Sequence, residues 1–294
     1  MSVATRIYRD YLQRERLDEL RALMARAVEL GYEPMTLSAF AERDGAADRV
    51  LLLRHDVDSD VARARRIWEI ERELGVVGSY FFRRSTWDVA FMHELSAGGC
   101  EVGYHYEELA TLIKRRGARS PAEARALIEP ARDALRASLA ELRAHSRLAL
   151  DVLASHGDFA NRALDVANVE LLKDAQFRAA IGVRLEAYDV EDRVDVRCFD
   201  AGPDGWKPVD PAWALARGAP VVELLLHPRA WGAAPVVNAR LDVERAVDGA
   251  LYRMRRRRRL AAVIAGRCRA RTAGRRSSGS ARPTDPSRPT RRPG

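Results

Sequence analysis

The sequence predicts an α/β fold, with a parallel sheet or barrel inside and helices outside. Three observations lead there. Short apolar runs alternate with longer stretches of helical periodicity along most of the 294 residues. Several of those runs stop abruptly at a histidine or an aspartate. Hydrophobic residues make up 47% of the chain and charged residues 31%, enough apolar material for a sizeable core.

The elements follow in order. Tyr11, Leu12, Leu17, Leu20, Leu23, Met24 and Leu30 recur at helical spacing, which predicts a helix over 6–31 ended by Gly31. Val50 to Leu53 is a buried strand that runs into Arg54-His-Asp-Val-Asp58. A helix over 60–74 closes at Gly75, and Gly78 to Phe82 is a second strand. A helix over 87–97 ends at Gly98-Gly99, and Cys100 to Tyr104 is a third strand ending at His105. Ser120 with Pro121 behind it opens a long helix over 120–146. Leu148 to Ala154 is a fourth strand, ending at Ser155-His156-Gly157. Residues 162–175 read as helical, with further strands near 177–183 and over 194–199. The last strand, Val221 to Leu226, ends at His227-Pro228, and a final helix covers 241–265.

Charge and cysteines bound the class. The net charge of +8 is concentrated after residue 252, where Arg255 to Arg259 are consecutive arginines, and the body before it is not basic. The three cysteines, Cys100, Cys198 and Cys268, have no CxxC spacing, which argues against a disulfide scaffold and a zinc–thiolate site. The first twenty residues carry charges throughout and no apolar core, and no run approaches a membrane span, so a cytoplasmic protein is expected. From about 270 onward the Arg, Ser, Pro, Thr and Gly composition reads as disorder. Aromatics are not interleaved there, so nucleic acid is not an expected partner; a weak contact with an anionic surface is.

In parallel α/β folds chemistry gathers at the C-terminal ends of the strands. Here those ends carry Asp56, Asp58, His105, His156, Asp200 and His227. Asp56 and Asp58 suit a base beside a cation ligand, and read equally well as a turn and a helix cap. His105 is placed to ligate a first-row metal, or to cap a strand. His227, with Trp231 near it, suits a general acid beside an aromatic wall, or a structural His-Pro turn. Ser155-His156-Gly157 could ligate metal or brace a loop. Asp200 to Trp206 adds a carboxylate and an aromatic on a Gly-rich loop. His93 and His145 fall within helices and read as structural or exposed.

Taken in order over residues 50–231, these pieces resemble the NodB-like polysaccharide deacetylases, carbohydrate esterase family 4 and its relatives. Arg54-His-Asp-Val-Asp58 resembles that family's first motif, Ser79-Tyr-Phe-Phe82 the strand after it, Glu101-Val-Gly-Tyr-His-Tyr-Glu107 the second motif, and Leu224-Leu-Leu-His227-Pro228 the last. The resemblance is strongest to a divergent branch found among bacterial surface-glycan genes. It implies a distorted (β/α) barrel over 49–265, preceded by a helical segment over 1–48 packed on it and followed by a basic tail over 266–294. It implies Asp56 as catalytic base, His227 as general acid, Asp58 and His105 as ligands of a divalent metal, with zinc expected, and an acetylated sugar or glycan precursor as substrate. Substrate contacts are expected from Arg54, Asp200, Trp206 and Trp231. The family's second metal-binding histidine has Leu109 in its place, which leaves Glu107, Glu108 or His156 to complete the site, with His156 preferred.

The expected reaction is removal of an N-acetyl group from a sugar in surface-polysaccharide synthesis. Two rivals stand beside it: an amidohydrolase acting on a non-sugar amide, and a non-catalytic glycan-binding or scaffold protein on the same fold.

Overall fold

The computed structural model describes residues 4, 7–45, 48–200 and 205–277, the side chains of 258–277 excepted. Its centre is a sheet of eight strands: β1 (Glu33–Met35), β2 (Val50–Val57), β3 (Ser79–Phe82), β4 (Glu101–Tyr106), β5 (Val152–Ser155), β6 (Leu185–Glu186), β7 (Val196–Phe199) and β8 (Val221–Leu226). The order is β6-β5-β4-β3-β2-β8-β7, and every strand pairing is parallel. β1 lies along the first half of β2, at Val50 to Leu52, and β3 along its second half, from Arg54. Among the described residues the edge strands β6 and β7 are not paired with each other, so the barrel expected from the sequence is open on one side.

Alternation along β2 explains how the core gives way to a site. On one face Val50 and Leu52 join Leu37, Phe40, Phe81, Val152 and Val221 in an apolar plug at the N-terminal end of the sheet. The same face then continues as Arg54 and Asp56. On the other face Leu51 and Leu53 pack with Ile67 of the helix Val61–Glu73, and Val57 packs with Trp68 of that helix. The polar residues thus begin where the plug ends, at the C-terminal edge.

Several elements differ from the expectation. The helix over 6–31 is broken: Tyr8–Leu12 is a short π-helix and a regular helix restarts at Leu17–Glu29. Between them the chain is tied to the segment after β8, through Arg16 N–H to Trp231 O (3.0 Å) and Ala233 N–H to Gln13 O (3.0 Å). The strand placed near 177–183 is instead a helix, Ala175–Ala180, because Asp174 caps it by accepting from the Gln176 and Phe177 amides. The 120–146 helix is two, Pro121–Arg125 and Ile128–Ser146, and 162–175 resolves into Phe159–Leu164 and a 3₁₀ turn, Asn168–Leu172. β1 and the helix Leu37–Glu42, capped by Thr36, have no counterpart in the sequence reading.

The last helix runs Pro235–Ser277, into the segment expected to be tail, where alanine and arginine favour helix and the first proline is Pro283. The rest of that segment, 278–294, lies outside the described residues. Among the described residues no helix is long and apolar enough to cross a membrane.

Candidate active site

The site forms where β2, β4, β5 and β8 end. Arg54 and Asp56 share a face of β2, and the Asp56 carboxylate accepts from Arg54 Nε (2.9 Å) and Nη2 (3.0 Å). The pair is buried, with the guanidinium over the Tyr188 ring, 4.7 Å from its centroid. Burial, the largest single influence, pushes the Asp56 carboxyl up, but Arg54, His105 and His227 together outweigh it and hold the group below its ordinary range. Asp56 is therefore a fixed carboxylate.

Just past β2 the chain turns, with Asp58 N–H on Asp56 O (2.9 Å), and this brings the second carboxylate into the same site. The capping role that Asp58 could have played belongs to Asp60, whose side chain accepts from Arg63 N–H at the start of the helix Val61–Glu73. Asp58 Oδ1 is buried with no hydrogen-bond partner.

His105, on β4, is buried and turned by its backbone carbonyl neighbour: Nδ1 lies 3.0 Å from Ala154 O. A carbonyl only accepts, so Nδ1 carries the proton and the Nε2 lone pair faces the site. That nitrogen is 3.5 Å from Asp56 Oδ2 and 3.6 Å from Asp58 Oδ1. Burial, only partly opposed by the two aspartates, lowers its pKa to about 4, so the ring is neutral. Gly103, two residues before, makes room beneath: a Cβ there would lie 2.6 Å from the Phe81 ring.

His156 follows β5, its amide on Tyr106 O (2.9 Å) and its carbonyl held by Asn168 Nδ2 (2.6 Å). Its Nε2 lies 3.3 Å from Asp58 Oδ1, and its ring meets His105 edge to face at 5.1 Å. Ligand atoms of Asp58, His105 and His156 fall within 4.8 Å of one another. Two ligands of a tetrahedral zinc, each about 2.0–2.1 Å from it, stand about 3.3 Å apart. The donor types, the spacing and the orphaned Asp58 oxygen all fit a divalent ion.

His227 lies one step beyond β8. In the β2–β8 register His55 faces Leu226, so the next step sets His227 beside Asp56. Asp200 holds it twice, accepting from Nδ1 (2.7 Å) and from the backbone N–H (2.6 Å). Burial alone would lower the His227 pKa, but Asp200, with Asp58 and Asp56 beyond it, raises it to about 9.

The structure thus brings Asp56, Asp58, His105, His156 and His227 together. Three expected substrate contacts have other occupations. Arg54 is fully buried on Asp56, Asp200 orients His227, and Trp231 is buried with its indole N–H donating to Asp200 (3.1 Å). Trp206, half-buried, packs on Trp231 at 5.7 Å, beside the Asp200 that holds His227. Leu109 is fully buried and packed in the hydrophobic core. Glu108 accepts from Tyr104 OH (2.7 Å), and Glu107 is bound by Arg83. His93 and His145 are exposed on helices.

Arg83 was not singled out from the sequence. Its position directly after the strand Ser79–Phe82 is the signal that could have found it, as for the other strand-end residues. Beyond Asp58 and His156 opens a cleft of about 530 Å³, with Arg83, Lys114, Asp158 and Arg162 among its walls.

No family model matches the sequence, and no curated protein matches it. Among solved structures the chain is similar to a CE4-family pseudoenzyme from Bacillus anthracis, with 14% identity and a TM-score of 0.38 over 70% of this chain and 62% of that one. A mutant of that pseudoenzyme with restored enzymatic activity gives 14% identity and the same TM-score over 70% and 64%. The Xyl-CE4 domain of a multidomain xylanase from the hindgut metagenome of Trinervitermes trinervoides gives 14% and 0.35 over 66% and 83%. The chain spans less than two-thirds of the pseudoenzyme's length, and what it can do rests on its own side chains.

Proposed function

We propose that the chain is a metal-dependent amide hydrolase that removes an N-acetyl group from a sugar, in the synthesis of a bacterial surface glycan. The observation that carries this reading is the convergence of three metal-type donors, a fixed carboxylate and a protonated histidine at one end of the sheet. Asp58, His105 and His156 would hold the ion. Bound there, a divalent cation supplies Lewis acidity toward an acyl oxygen and makes water more acidic.

The remaining work belongs to the chain. Asp56, kept ionised by Arg54, takes a proton from the attacking water. His227, charged at neutral pH, gives a proton to the departing nitrogen, and Asp200 keeps its Nε2 free for that by holding Nδ1. Water adds to the carbonyl carbon, the C–N bond breaks, and a free amine and acetate leave. The polar walls of the cleft suit a hydroxylated ligand such as a sugar better than an apolar amide.

The test is acetate release from N-acetylated amino sugars, free, nucleotide-linked and polymeric, by the zinc-loaded protein. Release that disappears in Asp56→Asn supports the reading. A protein that binds zinc and releases acetate from none of them contradicts it.

A further inference from the structure

We infer that Glu107, clamped by Arg83, is the positioning residue that turns His156 into a metal ligand. The inference rests on the metal-dependent reading above and asks how this chain completes a site that has Leu109 where a ligand is expected. A histidine that ligates through Nε2 carries its proton on Nδ1, and that proton needs an acceptor to fix the ring. His105 has one, the Ala154 carbonyl. His156 Nδ1 is buried and makes no hydrogen bond, and Glu107 Oε2 faces it at 3.6 Å. Closing that gap by a few tenths of an ångström orients the ring with Nε2 on the Asp58 side.

Glu107 is itself fixed. Arg83 Nη2 donates to both its carboxylate oxygens at 2.7 Å, and Nε to Oε1 at 3.2 Å. Both side chains are mostly buried. The clamp therefore runs from the end of β3, through the residue after β4, to the residue after β5.

Glu107, His156 and Asp158 also stand close enough to hold a cation of their own. The charges argue against it. Arg83 already neutralises Glu107, and Lys114 Nζ is 2.9 Å from Asp158 Oδ2. A second ion would have to displace two placed cations, whereas Asp58 Oδ1 makes no hydrogen bond and faces only the two imidazole nitrogens.

The experiment is calorimetric titration of the full chain with zinc alone, and with cobalt followed by its absorption spectrum. The expected result is one equivalent in the wild type, affinity about 10–100-fold weaker in Glu107→Ala, and most of the loss recovered in Glu107→Gln, which keeps an acceptor. Nitrogen NMR of the zinc-loaded wild type needs no variant: it should show His156 metallated at Nε2 and protonated at Nδ1. Unchanged affinity in Glu107→Ala, a second equivalent lost with Glu107, or ligation through His156 Nδ1 would each overturn the inference while leaving the metal-dependent reading intact. A wild type that takes up no zinc or cobalt overturns that reading itself.

Discussion

Two histidine–carboxylate clusters lie back to back on β2, and they differ in what reaches them. On one face His55 Nε2 is 2.7 Å from Glu71 Oε1, Tyr80 OH donates to Glu71 Oε2 (2.5 Å), and the His55 and Tyr80 rings stack at 4.0 Å. All of this is sealed between sheet and helix. On the other face, one residue further along, Asp56 begins the site, where Asp58, His156 and His227 keep side-chain exposures of 16%, 14% and 31%. The same residue types therefore do different work according to which side of a strand they occupy. The sealed cluster locks β2 to the helix Val61–Glu73, whereas the open one can exchange partners with a ligand.

The comparison can be broken from either side. The largest effect is expected from Asp56→Asn, which should lower kcat by about 10²–10⁴-fold while zinc content stays near one equivalent; steady-state rates and metal analysis on the same sample check it. In the sealed cluster Glu71→Ala should cost about 3–5 kcal/mol of stability, since it strands buried polar partners, and leave zinc affinity unchanged. Urea unfolding beside a zinc titration checks that pair of outcomes, and weakened zinc binding would show that the two clusters are coupled through β2.

Leu109→His is the next largest. Position 109 is in the core, so the new imidazole loses packing and is buried without a partner, at about 3 kcal/mol, with no gain in zinc affinity. Tighter binding would mean that this helix can turn toward the site.

The smallest effect is a shift in pH. In the proposed reaction His227 is the acid, with a pKa of about 9 set by Asp200 against burial. The rate should be level at neutral pH and fall as pH rises through about 9. Because that value lies above the ordinary one, the charged ring also contributes stability below about pH 6.5 that is lost as pH rises through about 9. Asp200→Asn removes the main cause, so the alkaline limb should move to about 6.5 or below, costing about thirtyfold or more in rate at pH 8. A limb that stays at 9 would take the assignment away from His227.

How much of this was legible in the sequence follows from the physics of each signal. Three of the strands that carry the site, β2, β4 and β8, read as short strands bounded by glycine or by charge, and their ends pointed to Asp56, Asp58, His105 and His227 without any three-dimensional information. β1, the polar-flanked Glu33–Met35, has no such pattern and is a strand only because β2 offers it an edge. The 175–180 helix was hidden because six residues carry too little periodicity to outvote their apolar content. For the side chains, sequence order placed Asp200, Trp206 and Trp231 near the site but could not say which way they face. Asp200 turns inward to hold His227, Trp231 donates to Asp200, and Arg54 turns to Asp56, so residues expected to meet substrate are bonded to other residues of the site. Likewise the sequence preferred His156 as the third ligand but left Glu107 and Glu108 open. Glu107 on Arg83, Glu108 on Tyr104 and Leu109 in the core leave the His156 imidazole facing Asp58.

The central claim is that Asp58, His105 and His156 form one metal centre, and mass-spectrometric metal content after incubation with zinc tests it most directly. Wild type should carry about one equivalent, Asp58→Ala, His105→Ala and His156→Ala should each lose it, and His227→Ala should keep it. A full equivalent in His156→Ala, or none in the wild type, would contradict the account.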